Sequence, residues 1–90
     1  MDLQKLWTLI RSDLAKARNS LPADAASHKA LAEYQNFLDH NELDIACDML
    51  EVYAEDHKVT TVFWLALRDA AARIELPDRE RRYLMHAEHL

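Results

Sequence analysis

Apolar residues recur at every third or fourth position along most of the chain, the spacing that places them on one side of an α-helix. This pattern predicts a first helix over residues 3–19, capped by Asp2. The stretch Asn19-Ser20-Leu21-Pro22 is predicted to end this helix, because proline disfavours helical geometry in the residue before it. A second helix is predicted to start between Ser20 and Ser27. The predicted core positions of these two helices are Leu3, Leu6, Trp7, Ile10, Leu14, Ala17, Ala30, Leu31, Tyr34, Phe37 and Leu38.

Three further helices are predicted: one over residues 42–56, one that begins after Thr60 or Thr61 and includes Ile74, and one over 77–89. Their starts would be marked by Asn41 with Asp44 three residues later as an approximate capping box, by Thr60 or Thr61, and by Pro77 in the first turn. The predicted core positions are Leu43, Ala46, Cys47, Leu50, Tyr53, Phe63, Leu67, Ala70, Ile74, Tyr83, Leu84, Ala87 and Leu90. Together the segments predict an all-α protein, a single domain over residues 1–90 that forms one antiparallel bundle of four to five helices.

Composition narrows the classes of function. The chain of 90 residues contains no glycine, which excludes the glycine-rich loops that bind nucleotide phosphates. Cys47 is the single cysteine and lies on a core position, where a thiol is inert. No apolar run reaches the length of a membrane span, and the first residues lack the features of a secretory signal. We therefore expect a cytoplasmic protein that does not contact membranes.

Acidic residues are concentrated in the middle of the chain. The formal net charge is −5, yet residues 30–57 alone hold eight Asp and Glu and no Lys or Arg. In the third helix, like charges four residues apart each cost about 0.2–0.5 kcal/mol, and no basic residue within the helix relieves them. A cationic partner would do so. Reversing Asp48 and Glu51 to Lys should leave the folding stability nearly unaltered or slightly improved, since it relieves this repulsion. The residues of this predicted surface are Asp39, Glu42, Asp44, Asp48, Glu51 and Glu55; the alternative is a solvated face.

Apolar residues outside the predicted core could anchor the same partner. Ile45, Met49 and Val52 form a second apolar arc on the third helix, which is either a further core contact or an exposed stripe. Trp64 lies about 100° around the fourth helix from the core position of Phe63. Since tryptophan is enriched among binding hot spots, Trp64 is a candidate anchor, with packing against a neighbouring loop as the alternative.

Signals for chemistry are weak. His86 and His89 have the spacing of two metal ligands on a helix, but a third ligand at fixed spacing is lacking. No group of residues has the arrangement of a nucleophile, a base and a residue that orients it. We expect no catalytic residue, no metal site and no cofactor, and therefore no enzyme. The arginines at 79, 81 and 82 alternate with acidic residues, so direct binding to nucleic acid is not expected either.

The stretch from Phe37 to Ala46, FLDHNELDIA, resembles a motif of small bacterial immunity proteins of toxin–immunity pairs, the Maf-type and contact-dependent growth inhibition immunity families. The later pattern Phe63-Trp64-x-x-Leu67-x-x-Ala70-Ala71 is similar to the same group, and Asp44 departs from the glycine of that motif. The resemblance covers residues 30–76. It implies an all-helical protein that binds and blocks a cognate toxin, often a nuclease. The alternative is a helical interaction module, homodimeric or an adaptor, that uses the Ile45, Met49 and Val52 stripe.

Overall fold

The computed structural model describes residues 2–90, and within them the chain forms five α-helices and no β-strand. The predicted all-α bundle is confirmed. The helices are α1 (Leu3–Asn19), α2 (Lys29–Asp39), α3 (Leu43–Glu55), α4 (Thr61–Ile74) and α5 (Pro77–Glu88), and a short 3₁₀ helix (Ala23–Ser27) precedes α2.

Three helix starts lie where the sequence predicts them, because each depends on a local signal. The Asp2 carboxylate accepts a hydrogen bond of 3.0 Å from the backbone N–H of Gln4. The Thr60 hydroxyl accepts one of 3.3 Å from the N–H of Phe63. Pro77 is the first residue of α5, where its missing N–H leaves no intrahelical hydrogen bond unmade.

The start of α2 differs from the prediction. Residues 23–27 form the 3₁₀ helix, and the Ser27 hydroxyl donates back to the carbonyl of Asp24 at 2.8 Å instead of capping a helix ahead of it. His28 is extended, and its Nδ1 accepts a hydrogen bond of 3.1 Å from the N–H of Ala30. The predicted start between Ser20 and Ser27 is therefore wrong, and His28 caps α2.

Asn41 ends α2 instead of capping α3. Its φ is 57°, in the left-handed region, and the turn carries the two hydrogen bonds of a Schellman motif: Glu42 N–H to Phe37 carbonyl at 2.9 Å and Asn41 N–H to Leu38 carbonyl at 3.0 Å. No side chain caps α3. The predicted capping box of Asn41 and Asp44 is wrong because Asn41 occupies the left-handed position that ends α2, a conformation that asparagine tolerates better than most residues.

The helices form two layers. The central helix α4 packs against α1 and α5 in one layer, and the α2–α3 hairpin forms the other, with α3 packed on α1 and α4. The smallest dimension, 17 Å, fits two layers of helices whose axes are about 8–10 Å apart. Leu3 and Leu90, predicted as core, are 54% and 66% exposed, because Leu3 is the first residue of α1 and Leu90 lies past the last residue of α5. The largest fully buried side chains are Tyr83, Phe63, Leu14, Leu50, Leu67 and Cys47.

No helix within residues 2–90 combines the length and the apolar character that crossing a membrane requires.

Candidate protein-binding surface

Four carboxylates of the predicted surface lie along one side of α3 and are called the acidic arc: Asp44, Asp48, Glu51 and Glu55. Arginines of α5 bind two of them. Arg82 donates two parallel hydrogen bonds to the Glu51 carboxylate, from Nε to Oε2 at 2.7 Å and from Nη2 to Oε1 at 2.9 Å. Arg79 donates to Asp48 Oδ2 at 3.0 Å and to the backbone carbonyl of Asp44 at 3.0 Å. The prediction that the arc is uncompensated within the monomer is therefore wrong for Asp48 and Glu51, because their counter-ions come from a helix 31 residues further along the chain.

Tyr83 connects this ionic cluster to the core. Its ring is fully buried, and its hydroxyl donates to Glu51 Oε1 at 3.0 Å and lies 3.7 Å from the Cys47 sulfur. Burial alone would raise the pKa of the Glu51 carboxyl, but the hydrogen bonds from Arg82 and Tyr83 outweigh it and hold that pKa below its usual value. Glu51 thus remains ionised and fastens α3 to α5.

Cys47 lies under this cluster, as its core position predicts. The side chain has no solvent exposure, and burial raises the pKa of its thiol to about 11. A thiol of this kind is protonated at neutral pH and a poor nucleophile.

Trp64 is buried and offers no anchor to a partner. It is 5% exposed, its ring stacks on His86 with centroids 4.3 Å apart, and it meets the edge of Phe63 at 5.2 Å. The interpretation as an exposed anchor is wrong because α4 is the central helix of its layer and needs two apolar sides. Phe63 lies on one side, and Trp64 packs against α5 on the other.

The other four carboxylates of the predicted surface have no ionic partner in the described part of the chain. Asp39, Glu42, Asp44 and Glu55 are exposed, and none of them forms a salt bridge within residues 2–90. Asp39 accepts one hydrogen bond of 2.8 Å, from the neutral amide of Gln35. These four residues are called the acidic face below. Asp44 and Glu55 are eleven residues apart, a distance of about 16 Å along the helix axis.

The second apolar arc of α3 is divided between core and surface. Met49 is partly buried and packs against the core, whereas Val52 is 41% exposed. Ile45 is partly buried at the start of the helix. The solvent side of α3 therefore presents Val52 and part of Ile45 beside Asp44 and Glu55.

Other candidates for chemistry have structural roles. Among residues 2–90, no three His, Cys, Asp or Glu side chains are placed to hold a metal ion. His57 stacks on Tyr53 with centroids 4.1 Å apart, and His89 Nδ1 lies 2.7 Å from the carbonyl of Met85. Arg81 forms a salt bridge with Asp78 and leaves no cluster of free arginines on α5.

The side-chain contact between α5 and α3 was not predicted, although the sequence contains a signal for it. Arg79 lies one turn before Tyr83, which the periodicity places in the core, so its guanidinium must lie at the edge of the buried face. An arginine in that position reaches whichever helix packs against the tyrosine. The most acidic helix in the prediction is α3, which makes it the first candidate for this contact.

Comparison with known proteins leaves the family open. No family model, curated protein or solved structure matches the chain, so the resemblance to immunity proteins remains a prediction from the sequence.

Proposed function

We propose that this chain is an immunity protein that binds a cognate bacterial toxin in the cytoplasm and neutralises it without chemistry of its own. The observation that carries the proposal is the acidic face. Asp39, Glu42, Asp44 and Glu55 are exposed and have no cationic partner among the residues that the structure describes. An accumulation of unpaired charge of one sign is complementary to a surface of the opposite sign.

A nuclease is the toxin class that this charge fits best. Such an enzyme holds nucleic acid through lysines and arginines that neutralise phosphates. A rigid helical face with free carboxylates can occupy that cationic surface and exclude the substrate. The exposed Val52 beside Glu55 would add apolar contact area to the same interface.

The matching experiment compares charge variants that leave the α3–α5 contact intact. The test variant, Asp44→Asn with Glu55→Lys, removes two carboxylates of the acidic face. The control variant, Asp24→Asn with Glu88→Lys, makes the same change of net charge outside the acidic face. The partner is the toxin domain encoded beside this gene, or a toxin captured from the source cell and then purified. Association rate and inhibition of nuclease activity are measured at low and high salt.

The first variant should associate about tenfold more slowly at low salt, since electrostatic steering contributes 10–10³-fold to association. The difference should shrink at high salt, where exposed charges are screened. The control variant should behave like the wild type. Equal rates for both variants and the wild type at low salt would refute a role for the acidic face.

One observation favours a second function. Val52 is 41% exposed next to the partly buried Ile45, which would suit a self-association seam in a homodimeric or adaptor module. Sedimentation distinguishes the two functions. A dimer that dissociates on dilution and is lost in Val52→Asp, together with no inhibition of any neighbouring toxin, would favour this alternative over the immunity protein.

A further inference from the structure

A cleft of about 560 Å³ opens between α1, the start of α3 and the end of α4. Its volume lies within the range of sites that bind small groups. The apolar lining comes from all three helices, namely Leu6, Trp7, Ile10, Leu43 and Ile74. Trp7 is only partly buried, so a flat aromatic surface is accessible to an occupant.

The polar rim of the cleft is negative. Asp44 and Glu75 are exposed and line it, and neither forms a salt bridge within residues 2–90. The one arginine of the rim, Arg73, is already bound: its Nε donates to Asp13 Oδ2 at 2.7 Å. Arg11 does not line the cleft, although its Nη2 donates to Asn41 Oδ1 at 3.0 Å, so the unpaired charges of the lining itself are those of two carboxylates.

Glu75 is held at the rim by the end of α4. Its φ is 65°, and its own N–H donates to the carbonyl of Ala72 at 3.2 Å while the next N–H donates to Ala71 at 2.9 Å. Glycine is the usual residue in such a left-handed cap. The backbone is thus fixed where this carboxylate meets the cleft.

We propose that the cleft receives a cationic, amphipathic segment of the protein partner, with one apolar side chain against Trp7 and a lysine or arginine beside Asp44 and Glu75. The proposal rests on the function proposed above and names the chemistry of the contact. Asp44 belongs to both the cleft and the acidic face, so a single partner surface can cover the two. A second copy of this chain is disfavoured by its net charge of −5, and nucleic acid by the acidic rim.

The test uses three blocked tripeptides and no toxin. The acetylated and amidated peptides Arg-Leu-Arg, Arg-Ser-Arg and Glu-Leu-Glu are titrated to millimolar concentration into the ¹⁵N-labelled protein. The indole N–H signal of Trp7 reports on the cleft, and that of the buried Trp64 is the internal reference. Arg-Leu-Arg should shift the Trp7 signal and the backbone amides of the rim, and the other two peptides should bind at least several-fold more weakly.

Variants test the rim. Asp44→Asn with Glu75→Gln should weaken binding of Arg-Leu-Arg about tenfold, which corresponds to 1.4 kcal/mol, and Asp24→Asn with Glu88→Gln should leave it unchanged. If Arg-Ser-Arg bound as tightly as Arg-Leu-Arg, the proposed apolar contact with Trp7 would be overturned. If Glu-Leu-Glu bound as tightly, the proposed role of the carboxylates would be overturned. Absence of any shift of the Trp7 signal would overturn the whole.

The outcomes separate this inference from the proposed function. If Arg-Leu-Arg does not bind while Asp44→Asn with Glu55→Lys still slows association with the toxin, the cleft is refuted and the immunity function stands. If the peptide binds in the cleft and no toxin is inhibited, the cleft is supported and the immunity function is refuted.

Discussion

Glu51 and Glu55 lie one turn apart on α3, and replacing each by lysine separates the folding role of the acidic arc from its surface role. Glu51→Lys removes both hydrogen bonds from Arg82 and places an ammonium group beside two guanidinium groups. It also leaves the hydroxyl of the fully buried Tyr83 with only the Cys47 sulfur at 3.7 Å.

The magnitude follows from these contacts. An unsatisfied buried hydroxyl costs about 1–3 kcal/mol. The Arg82–Glu51 pair is partly exposed, with side-chain exposures of 46% and 14%, so it is discounted to about 1 kcal/mol. The expected loss of unfolding free energy is about 2–4 kcal/mol. Glu55→Lys loses no partner and places a lysine four residues after Glu51, an arrangement that stabilises a helix by about 0.2–0.5 kcal/mol.

Urea unfolding, followed by circular dichroism, measures both changes. With a slope of about 1 kcal/mol per molar urea for a small domain, the midpoint should fall by about 2–4 M for Glu51→Lys and rise by less than about 0.5 M for Glu55→Lys. Equal losses, or no loss in Glu51→Lys, would refute the assignment of Glu51 to the fold. The expectation from the sequence alone, that reversing Asp48 and Glu51 leaves stability unaffected, gives the opposite result.

Three further predictions concern single groups. Because the folded-state pKa of Glu51 is lowered, its contribution to stability is present above the unfolded pKa and is lost as the pH falls through the folded pKa. The difference in unfolding free energy between the wild type and Glu51→Gln should therefore be largest at neutral pH and shrink below about pH 4.3. A difference that stays constant with pH would contradict this. The buried Cys47 should react with a thiol reagent far more slowly in the native protein than in urea, so rapid native labelling would contradict its place in the core. Glu75→Gly should raise the unfolding free energy by about 1 kcal/mol by relieving the left-handed backbone, whereas Glu75→Ala should give no gain; equal effects would show that the carboxylate and not the backbone is responsible.

Helix existence and three of the helix starts follow from the sequence because their causes are local. Asp2, Thr60 and Pro77 each act within four residues of the helix that they begin. The α2–α3 turn could be predicted as a break but not in its detail. Asparagine suits both the N-cap of a helix and the left-handed position that ends one. As an N-cap, Asn41 would accept from free amides at the start of α3, whereas at the end of α2 its backbone N–H donates to a free carbonyl of that helix.

The candidate surface was predictable only in part, because exposure depends on which helices become neighbours. The periodicity places Glu51 and Glu55 on the same arc, yet α5 covers the first and leaves the second in solvent. The wrong prediction for Trp64 has the same reason. The sequence determines its position around α4, but its burial depends on α5 packing on that side. Side-chain type and helical angle thus define the candidates, and the order of helices within the layer selects among them.

The α3–α5 contact also limits which carboxylates a partner can use. A cation of the partner could bind Glu51 only by displacing Arg82, and it would then have to replace two hydrogen bonds that the fold already makes. Asp44 and Glu55 have no arginine to displace, so a cation of the partner can form an ion pair with either of them while every hydrogen bond of the fold stays in place. The arginines of α5 meanwhile hold α3 in place, which keeps the free carboxylates at a fixed spacing. Since a preorganised surface loses little entropy on association, the binding energy of the proposed complex should be concentrated in Asp44, Glu55 and the apolar positions beside them.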